Sequence, residues 1–576
     1  MPALSLADQV DGPGSARRRP SERRKSNRGC VKADPEPVRK RPGEASRRRQ
    51  APRETAMDVV PRRGNIASRP AGAVAIGIFQ GERRPTGAAG AIDRASRGAV
   101  TALLRSRDFT GRFLETAVLY PSGLRARRLI VVGLGQPEEL SPHRVRLVAG
   151  QAARRARDLG ARTLATPAHG AGRGGIEPER AARAVAEGSI LGDYRFTAYR
   201  TDPGPPPLDR VEIVELDAAS SVRMRPAILD GVRVARGVCL ARDLASTPGE
   251  DLPPERLGQK ALAVARAAGA TARVLGKAQL ERLGMGGLLA VGRGSANPPC
   301  LIVLERGPGG GRGAATAARP TRTVVVIGKG VTFDTGGISL KPRENMNKMK
   351  YDMSGGAAVL GLFSALQGVE LPLRLVGLIP AAENMPGGRA LKPGDVVRMM
   401  DGTTVEVTNT DAEGRLLLAD ALAYSRRYEP EAVVDLATLT GAISIALGHL
   451  AAGLFTPDED LAAELLAAAA ETGERLWRMP LWPEYASELR GDTADFVNSA
   501  GREGVSILAA TFLRHFARDL PWAHLDIAST AWSPVDRPHE PRGPTGFGVR
   551  LLLEWISRRA ADPGKSAAPA AARARP

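Results

Sequence analysis

Residues 323–342 read TVVVIGKGVTFDTGGISLKP, and the fold turns on them. Thr323 to Ile327 is a run of β-branched residues with no polar face, the pattern of a strand buried on both sides. Its carboxyl end leads into Lys329, Asp334 and Lys341 among glycines, and open α/β sheets place their ligands at the carboxyl ends of strands. Downstream, KYDMSGGAAV at 350–359 adds Asp352, and NTDAEGRLLLADAL at 409–422 adds Asp411, Glu413 and Arg415 after the strand and turn at Val405 to Asn409. Four carboxylates and three cations lie in segments otherwise rich in Gly, Ala, Leu, Val and Met, which predicts that they converge in a buried pocket. Carboxylates gathered in that way repel one another unless positive charge lies between them, and a pair of divalent metal ions would supply it.

Working outward, further strands are expected at Cys300 to Leu304, Leu373 to Ile379, Val405 to Val407 and Ala432 to Leu436, with helices at Ala357 to Gln367, Arg415 to Tyr428 and Asp460 to Glu474. Toward the amino end, Val74 to Phe79 and Arg128 to Gly135 read as buried strands, and Ser141 to Leu159 and Pro178 to Leu191 as helices. Gly133 and Gly135 lack the third glycine of a dinucleotide fingerprint and are read as turning the chain after a strand. The fold class is α/β: a smaller N-terminal α/β domain, then a larger catalytic domain with a mostly parallel, mixed central sheet covered by helices. The expected divisions are a disordered basic leader at 1–71, the N-terminal domain at 72–225, the catalytic domain at 226–557 and a disordered tail at 558–576. The Pro-rich TDPGPPPLDR at 201–210 and the strand after it are expected to link the domains, and GPGGGRGAATAARP at 307–320 to be a flexible surface insertion.

The 576 residues carry a net charge of +20, which suggests nucleic acid until the charge is located. Residues 1–70 hold 18 Lys and Arg against 8 Asp and Glu, and residues 558–576 hold 5 against 1, leaving only +6 for the body. The leader has runs such as Arg17-Arg18-Arg19 and Arg47-Arg48-Arg49 and almost nothing that could form a core. It is read either as a dispensable segment, with Met57 as the real start, or as a nucleic-acid-binding arm. No apolar h-region follows its basic residues, and Asp34, Glu36 and Glu44 argue against an organellar transit peptide. No apolar run approaches the roughly 20 residues of a membrane span. Cys30, Cys239 and Cys300 are too scattered for a disulfide framework or a CxxC site, so a reducing, cytoplasmic location is expected.

The chemistry is bounded by what is missing. There is no HExxH, no GxSxG elbow and no P-loop, and His143, His169, His449, His515, His524 and His539 stand isolated. Hard oxygen donors suit Mn, Zn or Mg in a two-metal arrangement. A lysine ligates only when neutral, so Lys329 in that role needs its pKa pushed far down. A plainer account makes Asp411 and Glu413 mere complements to a helix N-terminus, but it leaves Lys329, Asp334 and Asp352 unexplained. A two-metal phosphoesterase would also use clustered carboxylates.

The complete NTDAEGRL at Asn409 to Leu416 and the block GKGVTFDTGGISLKP resemble the leucyl aminopeptidase family of two-metal exopeptidases. Successive key residues are spaced 5, 7, 11, 59, 2 and 2 apart, as in that family, and similarity extends over about Ile228 to Trp555, including DLATLTGA at 435–442, HLDIA at 524–528 and GPTGFGVRLL at 543–552. The resemblance implies one metal on Lys329, Asp334, Asp352 and Glu413, and a second on Asp334, Asp411 and Glu413 with the Asp411 carbonyl. It further implies a nucleophilic water or hydroxide between the ions, Lys341 polarising the scissile carbonyl, and Arg415 holding a bicarbonate that acts as general base, with the Leu439 backbone beside it. Met349, Thr438 and Gly441 would line an apolar pocket for the first side chain. Peptides with Leu or other apolar N-terminal residues would be the substrates, and a homohexamer the assembly. Some members of the family also act as DNA-binding accessory proteins, which makes DNA binding through the leader the alternative role. STPGEDLPP at 246–254 and GREGVSILAATFL at 501–513 depart from the family pattern, and these departures bear on substrate preference and subunit contacts rather than on the reaction class.

Overall fold

Strand-forming runs in this chain feed two main sheets, with a three-stranded and a two-stranded sheet beside them, and the central runs serve different cores with their two faces. The computed structural model describes residues 57–172, 174–308 and 322–562. The first sheet contains β1 (Asp58–Arg63), β2 (Ala73–Phe79), β3 (Thr116–Leu119), β4 (Leu129–Gly135), β5 (Thr163–Thr166) and β6 (Arg210–Glu215), in the order β1-β6-β5-β2-β4-β3. All neighbours are parallel except β3 against β4. In β2 the alternation is visible residue by residue. Val74, Ile76 and Ile78 pack under α1 (Gly87–Ala95) and α2 (Ala99–Ser106), whereas Ala73 and Ala75 face α3 (Pro142–Asp158) and α4 (Pro178–Asp193).

The chain leaves this sheet through α5 (Ala218–Ser246), a helix of 29 residues with Pro226 inside it, capped by Asp217, whose side chain accepts from Ser220 N. Here the structure departs from the expected layout. The Pro-rich 201–210 leads into β6, which pairs with β1 and β5, so the segment and its strand belong to the first sheet instead of linking the domains. The expected break at 225/226 falls within α5, and the described residues all lie in one compact unit. The leader boundary also moves. Residues 58–63 form β1, whose edge position tolerates Pro61 and the two following arginines because only one side of an edge strand must donate to a ladder. At the other end, α14 (Val549–Ala561) runs past residue 557, since Arg559 bridges Glu431 and Glu464 at 2.9 and 2.7 Å. Leader residues 1–56, most of the expected insertion (309–321) and tail residues 563–576 lie outside the described residues.

The remaining strands and α-helices, in chain order, are α6 (Pro254–Ala267), β7 (Thr271–Leu275), α7 (Lys277–Leu283), α8 (Gly286–Gly292), β8 (Cys300–Arg306), β9 (Thr323–Gly328), β10 (Gly330–Asp334), α9 (Ser354–Ala365), β11 (Arg374–Asn384), β12 (Val396–Arg398), β13 (Thr404–Glu406), α10 (Gly414–Ser425), β14 (Ala432–Ala437), α11 (Gly441–Leu447), β15 (Ala452–Phe455), α12 (Glu459–Thr472), β16 (Leu476–Arg478), β17 (Phe496–Val497), α13 (Val505–Ala517), β18 (Trp522–Asp526), β19 (Trp532–Ser533) and β20 (Gly543–Pro544), followed by α14. The large sheet runs β16-β15-β18-β14-β9-β11-β8-β7, with β10 added on β11. Its centre, β18-β14-β9-β11, is parallel, and β8 and β7 close one side antiparallel. Every residue of β9 is buried. Val324 and Val326 join the core beneath α9 and α14, and Val325 and Ile327 the core beneath α8, α10 and α13. That double cover is why the strand reads as continuous valine and isoleucine, and it puts the charged residues that follow at the one place left open, the carboxyl edge.

Candidate active site

Four chain segments deliver the charged residues to that edge. Lys329 sits in the single-residue joint between β9 and β10, its backbone N still bonded to Leu436 O at 3.0 Å, and Asp334 closes β10. The chain then turns sharply through Gly336, whose φ of +86° a side chain rarely adopts and whose Cβ would lie 2.4 Å from Ser339 O. The turn is tied by Lys341 N to Thr335 O at 2.9 Å, which returns Lys341 toward Asp334. Asp352 follows a 3-10 turn at Met346–Tyr351 and precedes α9. Asp411 and Glu413 come from the loop before α10. Glu413 occupies the N-cap position, but its side chain makes no capping bond, so the plain account of these acids as helix caps fails for it.

The carboxylate oxygens of Asp334, Asp411 and Glu413 lie within 4.8 Å of one another. Lys329 Nζ meets Asp352 Oδ2 at 2.7 Å and Glu413 Oε1 at 2.6 Å, and it donates to Thr438 O at 3.1 Å. Lys341 Nζ meets Asp334 Oδ2 at 2.8 Å and also pairs with Asp411. Asp334 Oδ1 accepts from Gly336 N and from Asn384 Nδ2, both at 2.8 Å. Lys329, Asp334, Asp352 and Glu413 are all buried. Gly414 leaves little spare room beside them, because a Cβ there would come within 3.0 Å of Lys329 Cε and Nζ and 3.1 Å of Leu439 Cδ1.

Charge in this pocket does not balance. Burial and the neighbouring carboxylates, Asp334 foremost, push the Glu413 carboxyl upward, and burial followed by Asp334 does the same to Asp352 against the pull of Lys329. The Asp411 carboxyl is raised by burial as well. Two ammonium groups among four carboxylates therefore leave a demand for more positive charge, which a donor set of hard oxygens fits as divalent cations. The lowered pKa expected of Lys329 is one that burial beside two metal cations would produce, and among the protein's own groups the balance is different. Burial pulls it down, but Asp352, Glu413 and Asp334 outweigh burial and hold it charged and raised. A cation taking the place of that ammonium would reverse the sign of the local field and favour the neutral amine.

Arg415, 3% exposed, donates from Nη1 to Asn498 O at 2.6 Å, while its Nε is buried with no partner. Burial pulls the guanidinium down to about 10. An unspent buried donor of this kind fits a small anion such as bicarbonate. The Leu439 N–H expected beside that anion points to Asp526 Oδ1 at 3.2 Å. Thr438 donates from Oγ1 to Asp352 Oδ1 at 2.6 Å, so it is tied to the carboxylates as well as placed near the expected pocket. Met349 is half-buried, and a side chain added at Gly441 would meet nothing within 4 Å, leaving open space at that wall. Asn384, Asn498 and Asp526 were not expected from the sequence. Asn384 had one signal, a polar end to the apolar run Leu375 to Ala382. A cavity of about 770 Å³ lined by Trp482, Tyr485, Glu488, Glu503 and Leu508 contains none of the charged constellation, so chemistry rather than volume identifies this site.

Comparison with known proteins gives a consistent result. Residues 239–553 match the family model described as the catalytic domain of the cytosol aminopeptidase family, and residues 75–203 match that family's N-terminal domain. A probable cytosol aminopeptidase of Geobacter sulfurreducens is 45% identical over 470 residues, covering 81% of this chain and 92% of its own length. One from Roseiflexus castenholzii is 47% identical over 460 residues, covering 79% and 92%. Among solved structures, the bottromycin maturation enzyme BotP in complex with Mn is 40% identical with a TM-score of 0.75, covering 85% of this chain and 100% of that one. A tomato leucine aminopeptidase mutant is 31% identical with a TM-score of 0.77, covering 87% and 96%.

Proposed function

Because this chain belongs to the cytosol aminopeptidase family, we propose that it is a two-metal aminopeptidase that releases Leu and other apolar residues from the N-termini of peptides. The observation that carries this reading is the group of Asp334, Asp411 and Glu413 oxygens within 4.8 Å, flanked by Lys329 and Lys341. Lys329, Asp334, Asp352 and Glu413 would hold one ion; Asp334, Asp411, Glu413 and the Asp411 carbonyl would hold the other. Manganese is the first candidate, given its presence with BotP, with zinc and magnesium as the others. When bound, the ions would lower the pKa of the attacking water and anchor the substrate amine, and bicarbonate would supply a general base that no nearby Glu or His provides.

The protein's own groups do the rest. Lys341, with 22% of its side chain exposed, can turn its ammonium from Asp334 and Asp411 to the scissile carbonyl oxygen and stabilise the developing oxyanion. Arg415, with Nε unspent, would fix the bicarbonate beside the Leu439 backbone. Met349, Thr438 and Gly441 would exclude water from the first side chain. A homohexamer in the cytoplasm is the assembly and location that accompany this reading. A separate role in DNA binding rests on the basic composition of the leader alone.

Lys341→Ala should lower kcat on Leu-p-nitroanilide by about a hundredfold or more while metal content stays at the wild-type level. Full activity in that variant contradicts the assignment of Lys341.

A further inference from the structure

The site depends on a loop, Thr438 to Thr440, that carries no charge of its own. Thr438 O accepts from Lys329 Nζ at 3.1 Å, and Thr438 Oγ1 donates to Asp352 Oδ1 at 2.6 Å, so the loop touches two residues of the proposed metal site. What holds the loop is on the neighbouring strand. Asp526 ends β18, directly opposite Ala437 at the end of β14. Its Oδ1 accepts from Leu439 N at 3.2 Å, Thr440 N at 3.4 Å and Ala528 N at 3.2 Å, and its Oδ2 from Thr440 Oγ1 at 2.6 Å. Asp526 is fully buried. Among the described residues it forms no ion pair with Lys or Arg. A buried carboxylate is costly unless its oxygens are hydrogen-bonded, and the Thr440 hydroxyl and the three N–H groups meet that need. Thr440 Oγ1 also lies 2.8 Å from Ser506 Oγ at the start of α13, inside the stretch where the sequence departs from the family pattern.

We infer that Asp526 is a positioning residue for the metal site: its carboxylate fixes the Thr438 to Thr440 loop, and through that loop the placement of Lys329 and Asp352. The inference rests on the two-metal reading above. Residues behind metal ligands set ligand orientation, and their loss typically costs about ten- to a hundredfold in metal affinity or activity.

The test titrates Mn²⁺ into metal-depleted full-length wild type, Asp526→Ala and Asp526→Asn, reading bound Mn²⁺ directly together with kcat, KM and thermal midpoint. The Mn²⁺ concentration for half-occupancy should rise about ten- to a hundredfold in Asp526→Ala and by less in Asp526→Asn, whose amide oxygen still accepts one N–H. KM at saturating Mn²⁺ should change little. A purely structural role would lower the thermal midpoint and leave half-occupancy where it was, and that result would overturn the inference. Should Asp526→Ala fail to fold, wild-type Mn²⁺ affinity in Asp526→Asn overturns it equally. Wild type that binds no Mn²⁺ and hydrolyses no aminoacyl substrate would overturn the two-metal reading itself.

Discussion

At the scale of single residues, two lysines of the same type have different surroundings and different work. Lys329 is enclosed between Asp352, Glu413 and Thr438 O, among the residues proposed to hold metal, while Lys341 is partly exposed and can reach a substrate. Gly414 packs directly against the side chain of the first of them. Gly414→Ala brings a methyl within 3.0 Å of Lys329 Nζ, so the ammonium must give by a few tenths of an ångström. The expected result is a loss of about tenfold in kcat/KM with an unchanged circular dichroism spectrum, because the rate is sensitive to sub-ångström misplacement at a reacting centre. The seven charged residues were legible in the sequence because acids and cations among buried apolar residues demand an explanation. Asn384, Asn498 and Asp526 were not, since a lone polar residue at a strand end looks the same whether it braces a site or merely meets solvent.

At the scale of elements, the continuous apolar runs match strands of the structure, whereas the inner border expected for the leader falls beyond β1 and that expected for the tail falls inside α14. β9, β14 and the centre of β11 announce themselves because both faces are buried. β1 and the last turn of α14 have the same arginine-rich composition as the leader and tail, and only partners distant in sequence give them structure. β1 is held by the register of Asp58 to Arg63 on Arg210 to Glu215. Arg559, 11% exposed at its side chain, connects α14 to Glu431 and Glu464. Arg559→Ala should destabilise the fold by about 2 kcal/mol, read as a lower midpoint in urea at unchanged slope. An unchanged midpoint would mean that α14 is held without Arg559, by its buried face around Leu551, Leu552 and Trp555 and by Arg550 on Glu474.

At the scale of the whole molecule, two claims separate cleanly. The charge of the chain is concentrated at its ends, and the leader's DNA role is tested by comparing full-length protein with a chain beginning at Met57 across a salt series. A nucleic-acid arm predicts tighter binding and a steeper salt dependence in the full-length form, and equal weak binding by both rejects it. The catalytic claim belongs to the body of the chain. Its most direct test is metal content and Leu-p-nitroanilide hydrolysis in wild type and Asp334→Ala, because Asp334 is the residue proposed for both ion positions and also the partner of Lys341. The account predicts about two divalent ions per wild-type chain, fewer than about one in the variant, and hydrolysis in the variant reduced to background. A folded Asp334→Ala protein that keeps wild-type metal content and turnover would contradict it.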